Sequence, residues 1–306
     1  MGWRDERGIW ANAMSVARND GIWLRVMPAV FVLIWSTGFV VARLGMPHAP
    51  PMGFLSWRYA LSIAAIGAWI VLSRGAAWPR EPRQWFHLAV LGTLQHGGYL
   101  GGVWAAVKAG MPAGLAALIV CLQPVLTAAW LSWRSEVHRV SARQWAGLWL
   151  GVGGLTLVLW HRMQGGALGM GSLLLAVGAL LSITIGTLYQ KRFVQPVDVR
   201  TANLVQLAAA LLVTLPLTLL EHESMHWNAH LWSALAWSVL VLTLGGSSLL
   251  YLLIQRGAAT EVTSLFYLVP PCTAVMAWIG FGETITPSMW LGMALCATAV
   301  FLVRRG

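Results

Sequence analysis

Apolar residues come in long runs along this chain, and the polar residues gather in the gaps between them. Ten runs stand out: 26–45, 52–73, 85–108, 112–133, 144–160, 170–189, 201–220, 231–254, 262–281 and 287–303. A helix needs about 20 predominantly apolar residues to cross a hydrocarbon layer of ~30 Å, so most of these runs are long enough to span, the fifth and tenth only just. The breaks, such as "MPHAPP" (46–51) and "RGAAWPREPR" (74–83), carry the Pro and Gly that stop helices. The pattern predicts an all-α membrane protein of ten transmembrane helices.

Self-similarity divides the ten runs in two. The fourth, "PAGLAALIVCLQPVLTAAWLSWRSE" (112–136), and the ninth, "ATEVTSLFYLVPPCTAVMAWIGFGE" (259–283), share one layout: Pro124 precedes Glu136 by twelve residues, as Pro271 precedes Glu283. Trp145 and Gly147 of the fifth run correspond to Trp290 and Gly292 of the tenth. Five spans per half is an odd number, so the second half enters the membrane from the opposite side. Two inverted five-helix repeats are the architecture of secondary transporters, whose halves rock around a shared site near the midplane. The predicted organisation is a segment 1–25, which is cytoplasmic and could form an interfacial helix, then repeats over 26–160 and 170–303.

Composition supports the membrane assignment. Hydrophobic residues make up 58% of the 306 residues and charged residues 10%, against about a quarter charged in soluble domains. The net charge is +10, and its distribution gives orientation. Sixteen of the 20 Lys and Arg fall in alternate connections or at the two termini, which places both termini in the cytoplasm. The basic residues form no patch, which argues against a nucleic-acid partner. Cys121, Cys272 and Cys296 share no close spacing, so neither a disulfide frame nor a metal site is expected, and nothing calls for a cofactor. The partners expected are a small-molecule substrate and membrane lipid, with the chain a monomer or weak homodimer.

Several motifs carry a resemblance. The 112–136 segment, "LIWSTGFVVARL" (33–44) and "SWRYAL" (56–61) resemble the drug/metabolite transporter superfamily, EamA-like family, over nearly the whole chain. In that pattern a small-residue helix carries a Pro and ends at an acid, matched here by Pro124 with Glu136 and Pro271 with Glu283. The first-helix Trp matches Trp35, and an Arg-aromatic pair matches Arg58-Tyr59. The first copy departs at "SWRSEVHR", where a Gly usually precedes the Glu; the second keeps Gly282-Glu283. The resemblance implies a transporter of small metabolites, without saying which.

The candidate chemistry is sparse. No Asp or Glu lies within any of the ten runs, although embedded carboxylates are common coupling groups. In "LQHGGYLGG" (94–102), His96 lies roughly 16 Å from either end of its run. One reading has it lining a cavity, binding substrate or carrying a proton; the other has it as a neutral packing residue. Gln95 and Tyr99 flank it, and Gly97, Gly98, Gly101 and Gly102 form two overlapping G-x-x-x-G patterns that favour close helix packing. Arg58 can attract an anionic solute through a two-pronged contact. It can equally brace the fold or snorkel to headgroups, and its place in the family pattern favours a structural role. Asn203 and Gln206, one turn apart near the inner end of the seventh run, are expected to pack. Gln123, Trp35 and Tyr267 complete the substrate-cavity candidates. Pro124 and Pro271 are helix-kink candidates, each removing a mid-helix hydrogen bond.

The function this reading favours is a secondary transporter, an exporter of small organic metabolites such as amino acids, across the inner membrane by alternating access. A lipid-linked substrate flippase is one alternative. An intramembrane enzyme is another: Ser247 and Ser248 supply nucleophiles, but no strained hydrolase turn or metal-binding histidine pair accompanies them.

Overall fold

The computed structural model describes residues 26–38, 41, 44–73, 75–111, 116, 119–134, 140–159, 169–256, 259–281 and 285–305. Segment 1–25, Glu136 and Glu283 lie outside the described residues.

In chain order, α1 is Val26–Gly38 and α2 is Pro51–Ser73. The third helix, α3, joins Pro82–Gly92, Thr93–Leu100 and Gly101–Lys108; its middle part is π-helical. Then follow α4 (Gln123–Arg134), α5 (Ala142–Leu159), α6 (Met170–Phe193) and α7 (Val199–Thr218). Helix α8, Ala229–Arg256, is again π-helical in its middle, over Ser238–Ser247. Helix α9 runs through Ala259–Ser264, a 3-10 turn Leu265–Leu268, and Val269–Phe281; α10 is Pro287–Arg305. Four of these helices, α2, α6, α7 and α8, are long and apolar enough to cross a bilayer by length and composition. Among the described residues all regular structure is helical.

Packing follows the repeat. Helix α5 lies against α10, α2 against α7, and α4 against α9, each helix with the one five places later. The two π segments begin at Thr93 and Ser238, corresponding positions of the two halves. Backbones come close where glycine removes the side chain. A Cβ on Gly154 of α5 would lie 2.7 Å from the Gly292 carbonyl oxygen of α10 and 2.9 Å from the Cys296 nitrogen. A Cβ on Gly92 of α3 would overlap the Gln206 backbone of α7. Of the glycines in "LQHGGYLGG", Gly98 faces Ser182 and Gly102 faces Leu175 and Ala179, all on α6.

The helix ends are closed locally. Glu221 accepts from the Met52 and Gly53 amides at 2.9 and 2.8 Å, placing a negative charge on the α2 N-terminus. Asp198 caps α7 through the Arg200 amide at 2.9 Å, and Asn228 caps α8 through the Leu231 amide at 2.9 Å. Large apolar side chains on the outer faces, among them Leu72, Leu174, Leu212, Leu240, Ile279 and Leu291, are exposed. Trp78 stacks on Trp85 near one set of connections, and Trp57, Trp227 and Trp232 cluster near the other. An apolar belt with tryptophans near both rims fits a bilayer as solvent.

Candidate functional site

A cavity of about 700 Å³, its open mouth included, lies between α1, α2, α3 and α8. Its floor is aromatic. Trp35 of α1 stacks on Tyr99 of α3 at 6.4 Å between centroids, and Phe266 of α9 meets Trp35 edge-on at 5.7 Å. Behind that floor lies a second void of about 310 Å³, open space at its mouth included, which shares Trp35, Tyr99 and Val103 and reaches Cys121, Phe266 and Val269. The Trp35–Tyr99 pair therefore separates two voids. The larger one extends toward Met46 and Val107, near the α1–α2 connection and the end of α3. On the opposite side, Met27, Phe31, Leu253, Ile254, Val262 and Leu265 form a buried apolar cluster.

Among the described residues Arg58 is the charged one of the cavity wall. It sits on α2, 4% exposed, and its Nε donates to Thr243 Oγ1 on α8 at 2.9 Å. Thr243 in turn donates to the Ser238 carbonyl at 2.9 Å. The local cause is the π segment: its i→i+5 bonding loosens the regular ladder, and Thr243, five residues after Ser238, bonds that carbonyl through its side chain. Among the described residues no carboxylate pairs with Arg58.

Of the seven cavity candidates, Trp35, Arg58 and Tyr99 line the cavity. The other four are buried behind its walls. His96 is 4% exposed; its carbonyl accepts from Tyr59 Oη at 2.8 Å, its ring meets the Tyr59 ring at 5.9 Å, and its Nδ1 has no hydrogen-bond partner among the described residues. Three positions along a regular α-helix would hold His96 near the face of Tyr99. The wider π turn rotates the two side chains apart, which puts Tyr99 on the cavity and His96 against α2. Gln95 bonds Gln190 of α6 at 3.4 Å, and Gln190 bonds the Tyr251 carbonyl at 2.9 Å. Gln123 Nε2 donates to Thr187 Oγ1 at 3.0 Å, and its Oε1 has no partner among the described residues. Tyr267 packs its ring on Gly151 of α5, 2.5 Å from where a Cβ would stand, and donates to the Leu148 carbonyl at 3.1 Å.

The prolines are placed differently from the mid-helix kinks the sequence suggests. Pro124 falls in the first turn of Gln123–Arg134, after a turn at residues 121–122. Pro271 falls in the first turn of Val269–Phe281, after the 3-10 turn. A first-turn proline has no ladder partner to lose, so each opens a helical segment after an irregular one. The adjacent Pro270 leaves the Phe266 carbonyl without its α-helical partner, and Cys121 Sγ donates to it at 3.5 Å.

Sequence reasoning missed both π segments and the Arg58–Thr243–Ser238 chain. The available signal was the correspondence of the two glycine-rich stretches, "LQHGGYLGG" and "TLGGSS" (243–248). Among the described residues no cluster of three or more His, Cys, Asp or Glu side chains could hold a metal.

Comparison with known proteins adds to this geometry. The profile of the EamA-like transporter family matches twice, over residues 24–160 and 170–305. A protein of Salmonella typhimurium named "Probable amino-acid metabolite efflux pump" is 26% identical over 297 residues, covering 94% of this chain and 95% of its own length. The Escherichia coli protein named "Uncharacterized inner membrane transporter YedA" is 27% identical over 294 residues, 92% of each chain. A solved crystal structure superposes with a TM-score of 0.75 over 91% of this chain and 96% of its own at 18% identity, a likeness of fold alone.

Proposed function

Because the chain belongs to the EamA-like transporter family, we propose that it is a secondary transporter exporting small organic metabolites, amino acids among them, across the inner membrane by alternating access. The relative from Salmonella typhimurium carries the name of an efflux pump for amino-acid metabolites, which supports this class of solute. Ten apolar runs, five to each half, support ten spans in two inverted repeats, and the Lys and Arg distribution supports cytoplasmic termini. In that orientation the end of the cavity near Met46 and Val107 faces outward, and the apolar cluster around Phe31, Ile254 and Leu265 closes the cytoplasmic side. Trp35 and Tyr99, with Phe266 beside them, would then be the barrier a solute passes between the two voids.

The observation that carries this reading is a cavity walled by α1, α2 and α3 of one half and α8 of the other, with an aromatic partition at its floor. Such a cavity changes access when the halves shift, without unfolding either. The test is solute counterflow in liposomes containing only this protein, with a panel of labelled amino acids and related metabolites. Exchange of at least one solute above protein-free liposomes is expected. No exchange across the whole panel, from protein shown to be folded and inserted, would overturn the assignment.

A further inference from the structure

We propose that Arg58 is the recognition group for a carboxylate, and that this site takes singly charged carboxylates with an apolar body, with no part for an ammonium group. The proposal rests on the transporter reading in taking the cavity solute as the one transported.

The first support is how the guanidinium is held. Arg58 lies seven residues past Pro51, about 10 Å along α2, and is 4% exposed. Its Nε–H goes to Thr243 Oγ1. The Thr243 hydroxyl proton goes to the Ser238 carbonyl, so the hydroxyl oxygen is left to accept. The planar group is thereby fixed at one corner. The bond to Thr243 is the guanidinium's one hydrogen bond among the described residues, and Arg58 belongs to the cavity wall. A buried cation with no counter-charge is costly, and its terminal N–H groups form the fork that matches a carboxylate.

The second support weighs against a purely structural brace. A bracing arginine spends its remaining donors on backbone carbonyls, and the π segments are where carbonyls come free. Among the described residues no hydrogen bond joins Arg58 to a backbone carbonyl, and four carbonyls of these segments accept hydroxyls instead: Leu94 from Ser182 at 2.9 Å, His96 from Tyr59 at 2.8 Å, Ser238 from Thr243 at 2.9 Å and Leu242 from Ser247 at 3.4 Å.

The third support fixes the charge and the body of the solute. The position of α7 that corresponds to Arg58 at the offset between the two π segments is Asn203, which is neutral and bonded to Ser248 Oγ at 2.9 Å. Among the described residues the cavity wall therefore offers one positive charge, which suits a monoanion better than a phosphate dianion. No Asp or Glu lies in any of the ten apolar runs, so an ammonium group would meet no opposite charge there. The rest of the wall is apolar or aromatic, with Trp35, Tyr99, Val103, Trp104 and Leu242.

The experiment measures thermal unfolding of the full chain in lipid nanodiscs against 3-phenylpropanoate, its neutral amide, phenethylamine, L-phenylalanine and phenyl phosphate. The acid is expected to raise the midpoint saturably and the amide to leave it unchanged. L-phenylalanine is expected to bind no more tightly than 3-phenylpropanoate. R58Q should weaken the acid by at least about tenfold, and R58K, which keeps charge without the fork, should fall between. Equal shifts from acid and amide, tighter binding of phenyl phosphate or of phenethylamine, or unchanged acid binding in R58Q would each overturn the proposal. The acid–amide comparison decides it on the unmodified chain even where R58Q fails to fold. The same probes in liposome counterflow keep the two readings apart. Transport of neutral or cationic solutes without preference for acids sinks the carboxylate site and spares the transporter. Acid binding through Arg58 with no transport of any solute does the reverse.

Discussion

Replacing Thr243 by Val tests the chain of contacts on which the cavity charge depends. Valine keeps the shape, so no cavity opens and no transfer term enters. Two hydrogen bonds are lost: the one from Arg58 Nε at 2.9 Å and the one to the Ser238 carbonyl at 2.9 Å. Thr243 is fully buried, so water does not replace them. A hydrogen bond to a charged group contributes about 1.5–3 kcal/mol in soluble proteins, but side-chain hydrogen bonds in membrane helices average ~0.6 and reach ~1.7 kcal/mol. The charged bond should lie near the top of the membrane range and the carbonyl bond near its mean, which gives a loss of about 2 kcal/mol. Serine keeps the hydroxyl and loses only a buried methyl, so T243S should cost about 1 kcal/mol, less than T243V. Equilibrium unfolding in mixed micelles reads the stability. Counterflow reads a second effect: with its corner free, the guanidinium loses its fixed aim and KM should rise more than the maximal rate falls. If T243V matches the parent in both stability and KM, the threonine does not position Arg58 and the account of the π segment is wrong.

Gly92→Ala should cost about 1–3 kcal/mol, read from the unfolding midpoint, because its Cβ overlaps the Gln206 backbone; Gly67→Ala, with open space around it, should be neutral or stabilising. Trp35→Ala removes the ring between the two voids, and the KM in counterflow should rise about tenfold, equivalent to ~1.4 kcal/mol, with Trp35→Phe retaining most of the affinity. His96→Gln should leave the pH dependence of transport unchanged, since the ring faces Tyr59 and not the cavity; a shifted pH profile would return His96 to the solute path. At the α7 N-terminus, hydrogen bonds from Arg200 hold the Asp198 carboxyl below its ordinary pKa. That stabilisation is fully present above the ordinary carboxylate range and is lost as pH falls through the lowered value. Asp198→Asn should therefore destabilise by less than ~1 kcal/mol near neutrality, with the difference closing in acid, as pH-dependent unfolding would show.

Hydropathy made the helices legible because burial in lipid imposes length and apolarity on each span without reference to its neighbours. The repeat was legible for a similar reason: Pro124 and Pro271 mark local breaks, and a local break leaves its residue in the sequence. Starts moved by a few residues, with the third helix beginning at Pro82 and the fifth at Ala142. Three cavity residues were legible, Trp35, Arg58 and Tyr99, since an arginine or aromatic within a span has few places to go. The π segments were not, because widening a turn leaves no change in composition, yet it decides which of His96 and Tyr99 meets the cavity. Nor was the contact of Gly92 with Gln206, which depends on α3 meeting α7 at that height. Glycines 98 and 102 did show their role, because G-x-x-x-G spacing keeps them on one face whichever helix they meet.

The two halves share a scaffold but not a chemistry. Both middle helices widen to π at corresponding positions, and in both the loosened carbonyls are taken up by hydroxyl groups. In α3 these come from neighbouring helices, Tyr59 of α2 and Ser182 of α6. In α8 they come from its own Thr243 and Ser247. The difference has a consequence for movement. The π segment of α3 is tied from both sides, whereas that of α8 is satisfied within itself and has the Arg58–Thr243 bond as a cross-link to α2. A self-satisfied segment can shift against its neighbours without exposing backbone groups to lipid, which is the constraint that limits motion in a membrane. Helix α8 is therefore the element better able to move against α2, and the bond that would strain first is the one that aims the cavity's positive charge. A solute bound by that charge would bias the equilibrium between the two arrangements only by the difference in how well each aims Arg58. Recognition and rocking would meet at Thr243.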